Sequence, residues 1–128
     1  VTLSESRGQT VYPVAVSDKV ILSFAHSIYG SQVEEEFRVV PRGFESVKLR
    51  YAERRLLEFY GHESAKRESG WWVIDNPGRL VRNLELRVSN DASMRITVGA
   101  SLILLRNNPG NDGSLRLTAG ACPRITHD

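Results

Sequence analysis

Residues 20–40, VILSFAHSIYGSQVEEEFRVV, constrain this chain more than any other stretch. Before the glycine, the even positions Val20, Leu22, Phe24, His26 and Ile28 line up at strand period, apolar apart from one histidine. After it the odd positions take over: Val33, Glu35, Phe37 and Val39, again apolar with one polar member. Opposed residues of an antiparallel pair lie on the same face. The two runs can therefore share a buried face only if the loop between them has an even number of residues. A loop at Tyr29-Gly30-Ser31-Gln32 meets that condition. It predicts the pairs Ile28–Val33, His26–Glu35, Phe24–Phe37 and Leu22–Val39, and so places an imidazole against a carboxylate on the core face.

The rest of the chain has the same character. Val1–Ser4 and Thr10–Val16 read as short strands about a turn at Arg7-Gly8, with Pro13 confining the second to an edge or bulge. Pro41-Arg42-Gly43 ends the hairpin, and Phe44, Val47, Leu49 and Tyr51 begin another strand. Residues 52–60, AERRLLEFY, fit a helix by propensity, with Ala52, Leu56, Phe59 and Tyr60 near one face; a continuing strand is the expectation retained. Gly61–Gly70 is polar and expected to be a loop. Trp71–Ile74 is a strand with its tryptophans on opposite faces, closed by Asp75-Asn76-Pro77-Gly78. Leu80, Leu84, Leu86 and Val88 alternate with Val81, Asn83, Glu85 and Arg87 and predict a hairpin through Asn90-Asp91-Ala92 that sets Leu86 opposite Ile96 and Leu84 opposite Val98. Leu102–Leu105 is expected as a buried strand, and Leu115, Leu117 and Ala119 as the last one. The prediction is a single all-β domain over residues 1–128, an antiparallel sandwich or partly open barrel of about eight to ten short strands with at most one short helix.

Charge narrows the functions open to such a domain. With 17 basic and 15 acidic residues the net charge is +2, and the basic residues are dispersed along strands rather than gathered into a nucleic-acid footprint. No apolar run is long enough for a membrane-spanning helix. The chain opens at Val1, as a mature or trimmed form would. One cysteine, Cys122, allows neither an internal disulfide nor a multi-cysteine metal site.

The hairpin also carries a resemblance. His26-Ser27, Val33-Glu34-Glu35, Phe37 and Arg38-Val39 together resemble the signature of the bacterial domain of unknown function 1850, small proteins associated with TAXI-type TRAP transporters. The likeness extends through Val1–Val16, Gly70–Ile74 and Leu80–Ala119. It departs at Gln32, where a proline is common, and at Gly61-His62-Glu63-Ser64-Ala65, where the family tends to have a glycine-rich turn. The resemblance implies an extracytoplasmic setting, at the periplasm or cell surface, and a non-enzymatic accessory or solute-binding role. The partner would be a TRAP transporter component or a small organic solute such as a carboxylate.

Two classes of site follow for the polar residues of the hairpin. A ligand-binding group of His26, Ser27, Tyr29 and Glu35 fits a binding module that needs no cofactor. The bland counterpart is a buried His26–Glu35 pair that only sets hairpin register. A metal site of His26, Glu35 and His62 is the alternative, with residue types suited to zinc or iron but no helical i, i+4 spacing. An enzyme of unknown class is the third possibility. Ser27, adjacent to His26 on a strand, points away from it and makes a poor hydrolase nucleophile, and no nucleophile elbow, phosphate loop or HExxH occurs. Glu34 and Glu36 alternate to the face opposite Glu35, where a solvated surface accounts for them better than calcium.

Overall fold

The computed structural model describes residues 1–5, 8–26, 28–41, 43–75, 77–87, 94–105 and 114–119. Among them twelve short strands and one helix follow in the order β1 (Thr2–Glu5), β2 (Gly8–Val11), β3 (Lys19–Ala25), β4 (Gln32–Val40), β5 (Gly43–Tyr51), α1 (Arg55–Phe59), β6 (Lys66–Glu68), β7 (Trp71–Asp75), β8 (Leu80–Val81), β9 (Asn83–Arg87), β10 (Met94–Val98), β11 (Ser101–Leu105) and β12 (Ser114–Thr118). They form two antiparallel sheets that do not close into a barrel. One runs β2-β1-β12-β9; the larger runs β11-β10-β3-β4-β5-β7-β6, with β8 also paired to β5. The all-β fold, its antiparallel sheets and its single short helix are as the sequence predicts. No helix among the described residues is long and apolar enough to cross a membrane.

The inward face of the large sheet carries two apolar clusters. In the first, Val20, Leu22, Phe37, Val39, Phe44, Ile96 and Val98 meet Val1, Leu3, Leu84, Leu115 and Leu117 of the small sheet. In the second, Val33 and Tyr51 are covered by Leu56 and Leu57 of α1 instead, with Phe24, Leu49, Trp72 and Ile74 packed around them. The helix corrects the expectation of a strand at 52–60. A helix of five residues has little stability of its own; burial of Leu56 and Leu57 over the uncovered end of the sheet holds it. It ends in a Schellman motif, with the His62 N–H donating to the Leu57 carbonyl (2.8 Å) and the Gly61 N–H to that of Glu58 (3.1 Å). Gly61 supplies the left-handed residue this closure needs, at φ 76°.

The hairpin of β3 and β4 keeps the predicted faces in a different register. Val33 lies opposite Phe24 rather than Ile28, and Glu35 opposite Leu22 rather than His26. The shift by an even number of residues leaves the paired side chains of both strands on their predicted faces, which is all that the alternation could specify. Ile28, expected on the core face, lies in the turn and is exposed. The loop is longer than expected and is closed by His26 N–H to the Ser31 carbonyl and Gly30 N–H to the His26 carbonyl, both 2.8 Å.

Other expectations change because alternation does not name a partner. Residues 80–87 are not one strand: Leu80–Val81 pairs with β5, and after Arg82 the chain passes to the small sheet as β9. β9 accordingly pairs with β12 and not with β10, so Leu84 meets Ile96 and Val98 within the shared core cluster, from the opposite sheet. The predicted loop Asn90-Asp91-Ala92 lies outside the described residues, as does Cys122. The polar segment 61–70 contains β6, hairpinned to β7 through Ser69-Gly70, and β11 is an edge strand on which Leu102 is exposed.

The outward face carries charge. Glu36 receives Arg50 at 2.7 Å and Lys19 at 3.9 Å, Arg38 meets Glu45 at 2.9 Å, and Lys48 and Lys66 both reach Asp75. Glu34 and Glu36 thus belong to a cross-strand ionic lattice. The more exposed of these pairs contribute little, Glu36 being itself buried, but their aliphatic stems count: Val73, flanked in register by Arg50 and Lys66, is buried.

Gly43 begins β5 where β8 crosses closest. A Cβ on it would stand 2.5 Å from the Val81 carbonyl oxygen, which is backbone and cannot turn aside. Gly43→Ala is expected to cost about 1–3 kcal/mol, seen as a lower urea midpoint with an unchanged slope.

Candidate functional site

Between the two apolar clusters, on the inward face of the large sheet, lies an open cavity of about 250 Å³. Its apolar walls are Phe24, Val33, Leu49 and Pro77; its polar groups come from Glu35, Ser46, Tyr51, Tyr60, His62 and Arg79. The cavity exists because the two covers of the sheet do not meet. The four-stranded sheet packs only on the first cluster and α1 only on the second.

Glu35 sits in that gap, between Leu22 on β3 and Leu49 on β5, with its side chain 16% exposed. A carboxylate on an apolar face requires donors. Ser46 Oγ–H donates to Glu35 Oε2 at 2.7 Å, and Arg79 Nη2 lies 3.4 Å from both carboxylate oxygens. Ser46 reaches Glu35 through a β-bulge. The β4–β5 register slips between Glu36 and Phe37, so Glu36 faces Lys48 while Phe37 faces Ser46, leaving Val47 as the extra residue. The slip keeps both Ser46 and the later Leu49 and Tyr51 on the inward side. Ser46 is fully buried, and its main chain also ties down the segment after β7. Its N–H donates to the Arg79 carbonyl at 2.8 Å, and its carbonyl accepts from Gly78 N–H at 3.1 Å.

The opposite wall is aromatic. The Tyr51 hydroxyl and His62 Nε2 are 3.0 Å apart, and the Tyr51 ring stacks on Tyr60 with centroids 5.4 Å apart. The Schellman turn is what delivers His62 to Tyr51. Burial, and then the negative charges of Tyr60 and Glu35, push the Tyr51 phenol well above its ordinary value of 10.0. Burial and Glu35 raise Tyr60 in the same direction. Both phenols are therefore neutral hydrogen-bonding groups at physiological pH.

Of the residues expected to bind a ligand, Glu35 lines the cavity; His26 and Tyr29 do not, and Ser27 lies outside the described residues. The direct His26–Glu35 pair is not formed, because the register sets Leu22 against Glu35. His26 instead closes its own turn: the N–H groups of Ile28 and Tyr29 donate to Nδ1 at 3.2 and 3.3 Å, which places the ring proton on Nε2. The buried ring stacks on Tyr29 and meets Phe59 and Tyr60 edge-on, with centroids 5.2, 4.5 and 5.7 Å away. His26 thus buttresses Tyr60, one residue back from the cavity. Tyr29 lies under the Arg55 guanidinium, 4.1 Å from its ring centre. Among the described residues no three histidine, cysteine or acidic side chains converge as a metal site, and the trio His26, Glu35 and His62 is not brought together, since Glu35 and His62 line the cavity and His26 does not. Trp72 packs on the second cluster, with the Arg67 guanidinium 4.6 Å from its ring centre.

Sequence reasoning missed Ser46, Tyr51, Tyr60 and Arg79 as site residues. A glutamate at an inward strand position asks for donors, and that signal was available; which residues answer it depends on the bulge and on the 77–79 connection, neither of which shows in the alternation. Comparison of the chain with protein-family models, with curated proteins and with solved structures finds no match. Fold and cavity together define an antiparallel two-sheet β domain with a carboxylate-bearing pocket between its two covers.

Two outcomes are expected from the site's own groups. Ser46→Ala removes the short donor to Glu35 and should cost about 1.5–3 kcal/mol, measured by urea unfolding. The Tyr51 phenol, raised in the folded state, is more protonated folded than unfolded above pH 10.0. Its contribution is complete below that pH and lost as pH rises beyond it. The urea midpoint should therefore fall from pH 10 upward, and Tyr51→Phe should flatten the fall.

Proposed function

We propose that the chain is a non-enzymatic binding module that holds a small organic solute in the cavity on the inward face of β4 and β5. The observation that carries this is Glu35. Its carboxylate faces an open cavity between two apolar clusters, fixed from one side by Ser46. A purely structural ion pair would not require the adjoining space. The cavity combines apolar walls with a few oriented polar groups, the usual composition of a small-ligand site. Its volume of about 250 Å³ suits a molecule of metabolite size.

The resemblance of the β3–β4 hairpin to the domain of unknown function 1850 supports an extracytoplasmic accessory role beside TRAP-type solute uptake, and that setting is part of the proposal.

Native mass spectrometry and thermal denaturation, with a panel of cationic, zwitterionic and anionic solutes below 200 Da, test the binding function. A retained solute mass and a rise in midpoint are expected, with about 2.7 kcal/mol of stabilisation at a hundredfold excess over Kd. An unliganded mass and an unchanged midpoint with every solute would overturn it.

A further inference from the structure

Resting on the reading of this cavity as a solute site, we infer that its solute is a small organic cation. A primary ammonium group would sit on Glu35 in place of Arg79, and a short apolar body would lie against Phe24, Val33 and Leu49. The bonding around Glu35 points there. A carboxylate can accept about four hydrogen bonds, and among the described residues Glu35 receives one short one, from Ser46 to Oε2. Among the described residues its other partner is Arg79, a single nitrogen held at 3.4 Å from each oxygen.

That distance is long for a charge-assisted bond, and longer than most arginine–carboxylate pairs among the described residues, Arg50–Glu34 at 3.6 Å excepted. Arg50 reaches Glu36 and Arg116 reaches Glu85 at 2.7 Å, and Arg38 reaches Glu45 at 2.9 Å. The Arg79 side chain is also 61% exposed against 16% for Glu35. The carboxylate is thus fixed and sheltered while its counter-ion is loose and in water. Arg79 is a resident cation that a better-fitting one can displace, because its guanidinium loses little on returning to solvent.

The walls favour the same charge. Tyr51 and Tyr60 stand stacked beside the carboxylate, and their ring faces attract a cation. Glu35 acts on both phenols to keep them protonated, so its negative potential reaches that wall. A carboxylate in this seat would meet Glu35 as a like charge. The carboxylate solute expected from the sequence is therefore replaced here by an amine.

Isothermal titration of the whole chain with 3-methylbutylamine, leucine and 4-methylpentanoate separates the possibilities, since the three share a branched alkyl body and differ in charge. The amine is expected to bind most tightly. Glu35→Gln, nearly isosteric, should weaken it about tenfold or more. Arg79→Gln, at an exposed position, should tighten it several-fold by removing the competitor. Tighter binding of 4-methylpentanoate or leucine, lost in Arg79→Gln, would overturn the cation and make Arg79 the recognising group, while the solute site itself would stand. Failure of the amine to bind either wild type or Arg79→Gln would also overturn it. Only the absence of binding across all charge classes would remove the site.

Discussion

The hydrogen bond from Ser46 to Glu35 holds together the part of this fold that packing alone would not build. Ser46 is fully buried and makes three commitments. Its hydroxyl fixes the Glu35 carboxylate, and its N–H and carbonyl anchor Arg79 and Gly78. A charge on an apolar sheet face is costly without donors, so the bulge that turns Ser46 inward is what makes Glu35 tolerable there. The same residue holds the main chain of Arg79 beside the carboxylate. Remove it, and floor and mouth of the cavity lose their common support.

Around that point the large sheet solves a covering problem in two ways. Its first half is buried by β1, β9 and β12. Its second half extends past the small sheet and is buried by one turn of helix carrying Leu56 and Leu57. Neither cover could serve the whole face. The space between them is lined by Val33, Glu35 and Leu49 on one side and by Tyr51, Tyr60 and His62 on the other. From Tyr60 an aromatic chain continues to His26 and its turn, so the β3–β4 loop, α1 and the cavity wall are one packed unit. That accounts for the buried histidine: it satisfies two amides of its turn and supplies a flat edge against the helix end.

Much of this was legible in the sequence at the level of faces. The alternation of Val20, Leu22 and Phe24, then of Val33, Phe37 and Val39, put the right side chains inward, and Glu35 with them. The register was not legible, because a period of two is unchanged by a slip of two or four residues. His26 and Glu35 therefore appeared as partners when they share a face without touching. The helix at 55–59 was visible as propensity, but propensity is weak over five residues, and the decision lay with the uncovered patch of sheet that Leu56 and Leu57 fill. At 80–87 the crossover from one sheet to the other left only the polar break at Arg82 as a sign.

By itself, then, the sequence determined the class of fold, the inward and outward faces of its long strands, and the presence of an inward carboxylate. Those are local properties, set by side-chain period and backbone chemistry within a few residues. Tertiary structure alone decided which strands pair, where β5 bulges, and that Ser46, Tyr51, Tyr60, His62 and Arg79 surround Glu35. Each of those depends on contacts between residues far apart in the chain, and a slip in register or a change of sheet alters them while leaving the local pattern intact.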